Sequence, residues 1–334
     1  MKSLVVSCLL LVSVLAHSQN FKIVEGKEKI DVYYGTNHLT SLIHDDSLFK
    51  TAYYPLSTLT GTHITREYPY EKKPGERTDH PHHVGLFFAH ESVNGHDFWN
   101  MSTSIAPSKR VNYGTEIYQS ARAIKNGIIS KAKWRANDGE DLLNEETKMI
   151  FSTSGNDLVI DRTTSLTALT NIEIIDKKDA LMGLRVAREL ELPVPGKDNF
   201  VLEDGTISPS IENDITKVTG NYRNSESVIG ADVWGKKATW VCLDGKINGK
   251  DISVAIIDHP GNTDAPSYWH ARGYGLFAVN PLGKEVFTEG KAKINLSLKE
   301  GESIVFKYRI VIREGGKLTS AELNRHFKKL SEIK

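Results

Sequence analysis

Short runs of β-branched and aromatic residues recur along most of this chain, and they restrict its fold more than any other feature. Gly, Asn and Asp residues suited to turns separate these runs, which lie at 21–24, 29–34, 157–160, 239–243, 252–257 and 303–312. Runs of this kind are typical of antiparallel strands. The dipeptides Asp244-Gly245 and Asn248-Gly249 predict tight turns between two of them.

Helix is predicted mainly near the C-terminus. Thr319 is a suitable N-cap, and residues 320–330 carry apolar side chains at roughly helical spacing. Segment 177–224 is the most polar and loop-like part, so we expect it to hold an insertion. Many strands with one terminal helix predict an all-β fold, a large antiparallel β-sandwich with a C-terminal helix. A jelly roll or a barrel is the alternative.

The N-terminus predicts export. Lys2 precedes a largely apolar run at 4–15, and Ala16-His17-Ser18 has the small-x-small pattern of a signal peptidase site. The run is shorter than the roughly 20 residues that a membrane-spanning helix needs. We therefore expect a signal peptide at 1–18 and a single β-sandwich catalytic domain at 19–334, located in the periplasm or secreted.

Charge and cysteine content exclude several classes of protein. The 42 basic and 42 acidic side chains balance, whereas nucleic-acid or anionic-membrane binding needs a basic surface. We predict neither nucleic acid nor a membrane as partner; an anionic small substrate stays open because it needs only a few local cations. Cys8 lies in the signal peptide, so Cys242 has no partner for an intramolecular disulfide and the core must stabilise the mature chain.

Histidines cluster in two stretches that are far apart in the sequence. Residues 78–99 and 258–277 hold seven of the eleven histidines that follow the signal peptide. Each stretch joins an Asp-His-Pro loop to an apolar run that resembles a strand, so a rigid sheet would present the loop residues to a cleft. Imidazole serves as a general base, a general acid or a metal ligand near neutral pH. The candidate catalytic residues are His82, His83, His270 and Tyr274.

A metal site is the alternative use of these imidazoles. His80, His82 and His270 are the candidate ligands for a divalent metal. Their spacing matches no recognised zinc pattern. The leading interpretation requires no cofactor.

Cationic and aromatic residues near the histidines predict an anionic oligosaccharide as the substrate. The guanidinium groups of Arg66 and Arg272 are suited to a carboxylate or sulfate, because the fork of each donates two parallel hydrogen bonds. Trp99, Trp269 and Tyr268 offer flat faces for sugar rings, although large aromatic residues also commonly fill cores. We assign these five residues to substrate binding.

Several longer motifs together resemble a known family. They are Asp79-His80-Pro81-His82-His83, Asn94-Gly95-His96-Asp97-Phe98-Trp99, Val233-Trp234-Gly235-Lys236, Asp258-His259-Pro260 and the run 269–281. With them the chain resembles the PmoA-like family of exported bacterial proteins. That label comes from a methane-oxidising membrane subunit, a function we do not expect for a chain without spanning helices after its signal. The resemblance implies a β-sandwich similar to sugar mutarotases and polysaccharide lyases, and a setting in bacterial carbohydrate breakdown.

The residue types favour an elimination on the uronic acid at the nonreducing end of an oligosaccharide. Removal of the C5 proton and of the C4 substituent needs a cation at the carboxylate, a base and an acid. These roles fit, in turn, Arg272 or Arg66, His82 or His83, and His270 or Tyr274. We predict a carbon–oxygen lyase that forms a 4,5-unsaturated uronate. Loss of water would make it a dehydratase, which we favour, and loss of a sugar a polysaccharide lyase.

Three alternatives stay open. A glycoside hydrolase usually needs two carboxylates across the scissile bond, and imidazoles are enriched here instead. An aldose epimerase would pair a histidine acid with a late carboxylate base, for which Glu289 is the candidate. A non-catalytic sugar-binding protein would use the aromatic residues and arginines alone. Asp97 and Asp258 are further candidates for orienting histidines or holding a metal.

Overall fold

Twenty strands and two α-helices form the computed structural model, which describes residues 20–333. The predicted signal peptide lies outside the described residues. In chain order the elements are β1 (Phe21–Glu25), β2 (Lys29–Tyr34), β3 (Asn37–Ile43), β4 (Ala52–Tyr54), β5 (Leu86–His90), β6 (Gly114–Ile124), β7 (Gly127–Ala136), β8 (Asp141–Ser154), β9 (Asp157–Ala168), β10 (Ile172–Ile174), β11 (Ala180–Arg185), β12 (Lys197–Asp198), β13 (Ile211–Glu212), β14 (Asn221–Asn224), β15 (Trp240–Ile247), β16 (Lys250–Asp258), β17 (Tyr268–Ala271), β18 (Leu276–Asn280), α1 (Lys284–Phe287), β19 (Leu296–Leu298), β20 (Ser303–Glu314) and α2 (Ser320–Ser331).

Two eight-stranded antiparallel sheets account for most of these strands. The first has the order β1-β2-β3-β4-β5-β11-β18-β17, and the second has the order β14-β15-β16-β20-β9-β8-β7-β6. Strands β10 and β19 form one small ladder, and β12 and β13 form another. The large sheets pack face to face: Phe88 on β5 of the first lies against Trp134 and Phe306 of the second, with ring centroids 6.4 and 6.0 Å apart. The predicted all-β sandwich is confirmed.

The outer face of the second sheet is covered by α2. Thr319 caps this helix in a reciprocal capping box with Glu322, as the predicted N-cap requires. Leu323 and Leu330 of the helix pack on Trp240 and its neighbours in β15 and β16. The C-terminal helix is therefore confirmed. Among the described residues, no helix has the length and apolar character needed to cross a membrane.

The two predicted turn dipeptides behave differently. Asn248-Gly249 joins β15 to β16, and both residues have positive φ (51° and 78°) as a type I′ turn requires. The turn predicted at Asp244-Gly245 is wrong, because both residues lie inside β15 and Gly245 pairs with Ile252. The Asp244 carboxylate accepts a hydrogen bond from Arg223 of the neighbouring strand β14 (2.7 Å). This partner allows a charged side chain to lie within the strand.

Segment 177–224 is not only an insertion, since it contains the central strand β11. All six residues of β11 are buried, and the strand pairs with β5 on one side and β18 on the other. A strand buried on both faces has no polar–apolar alternation, which is why the pattern missed it. Gly183 allows the close packing here: a Cβ at this position would lie 2.6 Å from Cζ of Phe87.

Candidate active site

Three strand ends of the first sheet meet at one place. Strand β11 ends at Arg185, which pairs with Leu276 at the start of β18, and Leu184 pairs with Leu86 at the start of β5. The histidine loop before β5 and the turn before β18 therefore meet beside Arg185. A cleft of about 440 Å³ opens here, and its walls include Asp79, His80, Trp234, Arg272 and Tyr274.

Two buried guanidinium groups hold the carboxylate of Asp79 in place. Arg185 donates to both of its oxygens (2.6 and 3.1 Å), and Arg66 donates to Oδ1 (3.0 Å). These arginines are 0% and 1% exposed. Burial raises the pKa of Asp79, but Arg185, the hydrogen bond to His80 and Arg66 outweigh it and hold the pKa well below its usual range. Asp79 is therefore an ionised group in a fixed position.

The His80 imidazole projects from this anchor into the cleft. Its Nδ1 is hydrogen-bonded to Asp79 Oδ2, and an ionised carboxylate can only accept, so Nδ1 carries a proton; the neutral form of this ring presents its lone pair on Nε2. The side chain is 41% exposed. The ring lies parallel between Tyr274 and His83, at centroid distances of 4.8 and 5.0 Å. This histidine is oriented as a general base.

The phenol of Tyr274 forms the next layer of the same stack. Its ring also covers the Arg185 guanidinium, whose carbon lies 5.0 Å from the ring centroid. Burial raises the pKa of Tyr274 to about 12, although Arg185 and Arg272 act in the opposite direction. The hydroxyl therefore stays protonated near neutral pH, and it can donate a proton to a group bound in the cleft.

Arg272 brings an uncompensated positive charge to the cleft. Its guanidinium carbon lies 5.5 Å from the Trp234 ring and 5.6 Å from the Tyr274 ring. Across residues 20–333, no Asp or Glu oxygen lies within 4.0 Å of its nitrogens. The aromatic rings orient the cation and leave its hydrogen-bond donors available, which suits a carboxylate ligand.

His270 lies beside Arg272 and is held by Trp234. The indole Nε1 of Trp234 donates to His270 Nδ1 (3.1 Å), and His270 Nε2 lies 3.6 Å from Asp179 Oδ1. Burial, together with Lys178, Arg272 and His80, lowers the pKa of His270 well below its ordinary value. The ring is therefore neutral.

Of the four predicted catalytic residues and Arg272, the structure brings three to the cleft and keeps two out of it. Tyr274, Arg272 and His270 lie at or beside it. His83 is buried behind His80, against Phe87 and Trp99. His82 packs edge-on against His80 and His83. Burial lowers the pKa of His82 and His83 well below the usual range. The expectation that one of them is the base is corrected in favour of His80, which we had considered only as a metal ligand.

Arg66 has a structural position instead of the predicted substrate-binding one. Its guanidinium donates to the backbone oxygens of Tyr68, Asp79 and His80 at 2.7 to 3.0 Å. Because it is buried and its donors are committed to the protein, it shapes the histidine loop and does not reach the cleft.

The three aromatic residues predicted to stack on sugars lie in the protein interior. Trp99 and Trp269 are 1% and 0% exposed, and the Trp269 indole donates to Ala238 O (3.0 Å). Tyr268 is buried against Phe287, with ring centroids 5.3 Å apart. Their apolar faces are covered by other side chains, so the predicted stacking role is wrong for all three.

The candidate metal ligands do not form a ligand set. Within residues 20–333, no group of three or more His, Cys, Asp and Glu side chains has an arrangement that could hold a metal ion. His80 is bound to Asp79, and His270 accepts from Trp234. His82 lies 5.6 Å from His80 between ring centroids. The alternative of a metal held by these three histidines is therefore not supported.

The remaining carboxylate candidates have local roles. Asp258 is buried and accepts from the Asn262 side chain and the Ser267 amide. Asp97 accepts from the amide and the side chain of Asn100. Glu289 is 84% exposed and pairs with Lys291 at 3.4 Å. None of the three lines the cleft described above.

Four residues of the site were assigned no role from the sequence. Asp79 and Trp234 belong to quoted motifs, so a signal was available for both. Arg185 gave no signal because its strand lies in a segment assigned to loops. Asp179 precedes the same strand, and only the folding of the sheet brings it to His270.

A second cavity, of about 380 Å³, lies between α2 and the turn after β8. Its lining mixes the cations Arg313, Arg325 and Lys329 with the carboxylates Asp157, Glu314 and Glu322. Asp157 and Glu322 accept hydrogen bonds from Arg313 at 2.6 and 2.9 Å, so this guanidinium is already paired.

The fold and the cleft define a β-sandwich protein with a cleft at one end of a sheet, lined by Asp79, His80, Arg272 and Tyr274. The chain belongs to the family of unknown function DUF6807, whose model matches residues 29–328. This match overturns the resemblance to the PmoA-like family, which was wrong. No curated protein matches the sequence.

Among solved structures, the chain is similar to proteins whose names refer to carbohydrates. A polysaccharide lyase is 10% identical (TM-score 0.32), with 89% of this chain and 33% of that chain covered. The α-galactosidase AgaB of family GH36 from Geobacillus stearothermophilus is 10% identical (TM-score 0.40), with 88% of this chain and 41% of that chain covered. A galactose mutarotase-like protein from Lactobacillus casei is 9% identical (TM-score 0.36), with 88% of this chain and 100% of that chain covered. The chain thus spans about a third to two fifths of the first two, and with TM-scores this low no functional argument rests on them.

Proposed function

We propose that this protein is a carbon–oxygen lyase that acts on a uronic acid at the nonreducing end of an oligosaccharide. The single observation that supports this most is Arg272, a cation in the cleft without a carboxylate partner among residues 20–333. A uronic acid carries the carboxylate that such a cation would bind. The proposal includes export to the periplasm or the medium, where such oligosaccharides would be met.

The first step is removal of the C5 proton. Arg272 binds the substrate carboxylate and stabilises the negative charge that spreads onto it as the C5–H bond breaks. His80 Nε2 takes the proton, and Asp79 stabilises the imidazolium that results because it lies against Nδ1. Two buried arginines keep Asp79 ionised for this role.

The second step completes the elimination. The electron pair left at C5 forms the C4–C5 double bond, and the bond from C4 to its oxygen substituent breaks. Tyr274 donates its hydroxyl proton to the leaving oxygen, and the proton on His80 later restores the phenol. The parallel rings place the donor and the base in adjacent layers of one stack. Departure of a hydroxyl group as water gives a dehydratase, and departure of a sugar gives a polysaccharide lyase.

The alternatives fit the cleft less well. A hydrolase would need two available carboxylates, but both oxygens of Asp79 accept hydrogen bonds from arginine, and Asp198 is bound to Arg77 (2.5 Å). The epimerase depended on Glu289, which lies on the surface. A sugar-binding protein without catalysis has no use for a carboxylate–imidazole pair.

The test uses uronic-acid-terminated oligosaccharides with and without a free C4 hydroxyl at the terminal residue. We expect a rise in ultraviolet absorbance from the conjugated double bond. Mass spectrometry then separates loss of one water from cleavage of the chain. Absence of a chromophore with every uronate tested, from a protein whose far-ultraviolet circular dichroism shows a folded β structure, would contradict the proposal.

A further inference from the structure

Trp234 contacts both Arg272 and His270. Its ring faces the Arg272 guanidinium at 5.5 Å, and its indole N–H donates to His270 Nδ1 at 3.1 Å. Val233 before it is buried, and Phe287 packs edge-on against the indole at 5.5 Å. The indole is therefore held from behind and directs its N–H group and one face toward the site.

The hydrogen bond from Trp234 determines the tautomer of His270. An indole nitrogen can only donate, so Nδ1 of His270 must accept. The neutral imidazole then carries its proton on Nε2. That atom lies 3.6 Å from Asp179 Oδ1, which is beyond hydrogen-bond distance. The Nε2–H group is thus a donor without a close protein acceptor.

The charged groups around His270 favour the neutral ring. Lys178, Arg272 and His80 are the cationic or titratable neighbours that oppose its protonation, and Asp179 is the anion beside it. Asp179 is itself paired with Lys178 at 2.6 Å. His270 is also buried, so a charge on its ring would lack hydration.

We propose that Trp234 is a positioning residue that sets Arg272 and the Nε2–H group of His270 as a two-donor receptor for the substrate carboxylate. What the receptor binds rests on the proposed function; the tautomer of His270 does not. A neutral imidazole donor stabilises charge that develops on the carboxylate during removal of the C5 proton and takes up no proton itself. His270 is thereby assigned to charge stabilisation, and Tyr274 to proton donation.

The test of the tautomer is nuclear magnetic resonance of the ¹⁵N-labelled imidazoles, with the His270 signals assigned by their loss in His270→Gln. We expect a protonated Nε2 and an unprotonated Nδ1 in the wild type between pH 6 and 8. Trp234→Phe keeps a ring for Arg272 but removes the N–H, so we expect mixed tautomers. The matched control is Trp240→Phe, since that indole donates to Asn324 Oδ1 (2.8 Å) under α2. A protonated Nδ1 in the wild type, or unchanged His270 signals in Trp234→Phe, would overturn the proposal.

The kinetic test separates this proposal from the proposed function. On a uronate oligosaccharide, Trp234→Phe should lower kcat about tenfold or more with a smaller change in KM, because the lost partner orients a group that acts in the transition state. Trp240→Phe should leave both values unchanged. If the wild type has the expected tautomer but no uronate reacts, the proposed function fails and the assignment of His270 stands. If the wild type is active and Trp234→Phe matches it in kcat, the positioning role is refuted.

Discussion

The imidazole of His80 lies parallel to the phenol ring of Tyr274, with ring centroids 4.8 Å apart and 5° between the ring planes. One of these rings comes from the loop before β5 and the other from the turn before β18. Beneath them, the Arg185 guanidinium binds Asp79 and also lies under Tyr274. A single guanidinium thus supports both the base and the acid of the proposed reaction.

Tyr274→Phe should lower kcat by about 100-fold, because it keeps the stacked ring but removes the proton donor for the leaving oxygen. KM should change little, since the hydroxyl acts mainly in the transition state. Steady-state absorbance with a uronate oligosaccharide is the measurement. Tyr70→Phe is the control, because Tyr70 is exposed, packs edge-on against Tyr54 and does not line the cleft. A Tyr274→Phe variant with wild-type kcat would show that another group donates the proton.

Arg272→Gln should lower kcat/KM by at least about 100-fold, because the carboxylate loses its cation in the ground state and in the transition state. Arg272→Lys should recover part of this loss, since an ammonium keeps the charge but not the planar fork. Lys197→Gln serves as control: Lys197 also borders the cleft but is exposed and paired with Glu212 at 3.7 Å. Equal activity of Arg272→Gln and the wild type on a charged substrate would remove Arg272 from substrate recognition.

Asp79→Ala should destabilise the fold by about 3–5 kcal/mol, because it leaves the buried Arg66 and Arg185 without their shared carboxylate. The free energy of unfolding, measured with urea, tests this. Asp141→Ala is the matched control: Asp141 also binds two cations, Arg135 and Lys133, but at the surface, and its loss should cost about 1 kcal/mol or less. Equal costs for the two variants would contradict the anchoring role.

His90 should make the fold less stable in acid. Burial lowers its pKa to about 3, so below the ordinary value of 6.5 the unfolded chain binds a proton that the folded chain does not. The free energy of unfolding therefore falls as the pH drops below about 6.5, by up to about 1.4 kcal/mol per pH unit from this group. Burial raises the pKa of Asp258 to about 6, so this group binds a proton in the folded chain first and increases the unfolding free energy as the pH falls below about 6.

The measurement is therefore the difference in unfolding free energy between the wild type and His90→Gln, taken at pH 7, 6 and 5. This difference isolates the imidazole, since the other titrating groups are common to both proteins. We expect the unfolding free energy of the wild type to fall relative to that of His90→Gln as the pH falls. A difference that stays constant over this range would show that His90 takes up its proton at the same pH in the folded and the unfolded protein, which would contradict a lowered pKa in the folded state.

Gly183→Ala should destabilise the sandwich by about 1–3 kcal/mol, because the added methyl group meets the ring of Phe87 inside the core. Thermal unfolding followed by circular dichroism measures the effect. Ala123→Gly is the comparison: it changes a single methyl group at the partly exposed end of the edge strand β6. We expect it to lower the stability of the fold by less than Gly183→Ala does.

The sequence by itself determined the fold class, because strand alternation, an Asn-Gly turn and a helix N-cap are local patterns. The strands predicted at 21–24, 157–160 and 303–312 and the helix after Thr319 are all present, because side-chain periodicity and short-range hydrogen bonds specify them, although the second strand extends to Ala168. The sequence also indicated that Arg272, His270 and Tyr274 belong to one site, since they lie within five residues of one another.

Only the tertiary structure decided which histidine reaches the cleft and which arginine does not. The sequence does not distinguish His80, His82 and His83 from one another. Hydrogen bonds from Arg66 and Arg185 hold their loop in a conformation in which, of the three, His80 alone lines the cleft. Burial also removed Trp99 and Trp269 from the surface. The contact between Arg185 and Asp79 joins segments about 100 residues apart, and no local pattern encodes which of several similar side chains such contacts will cover.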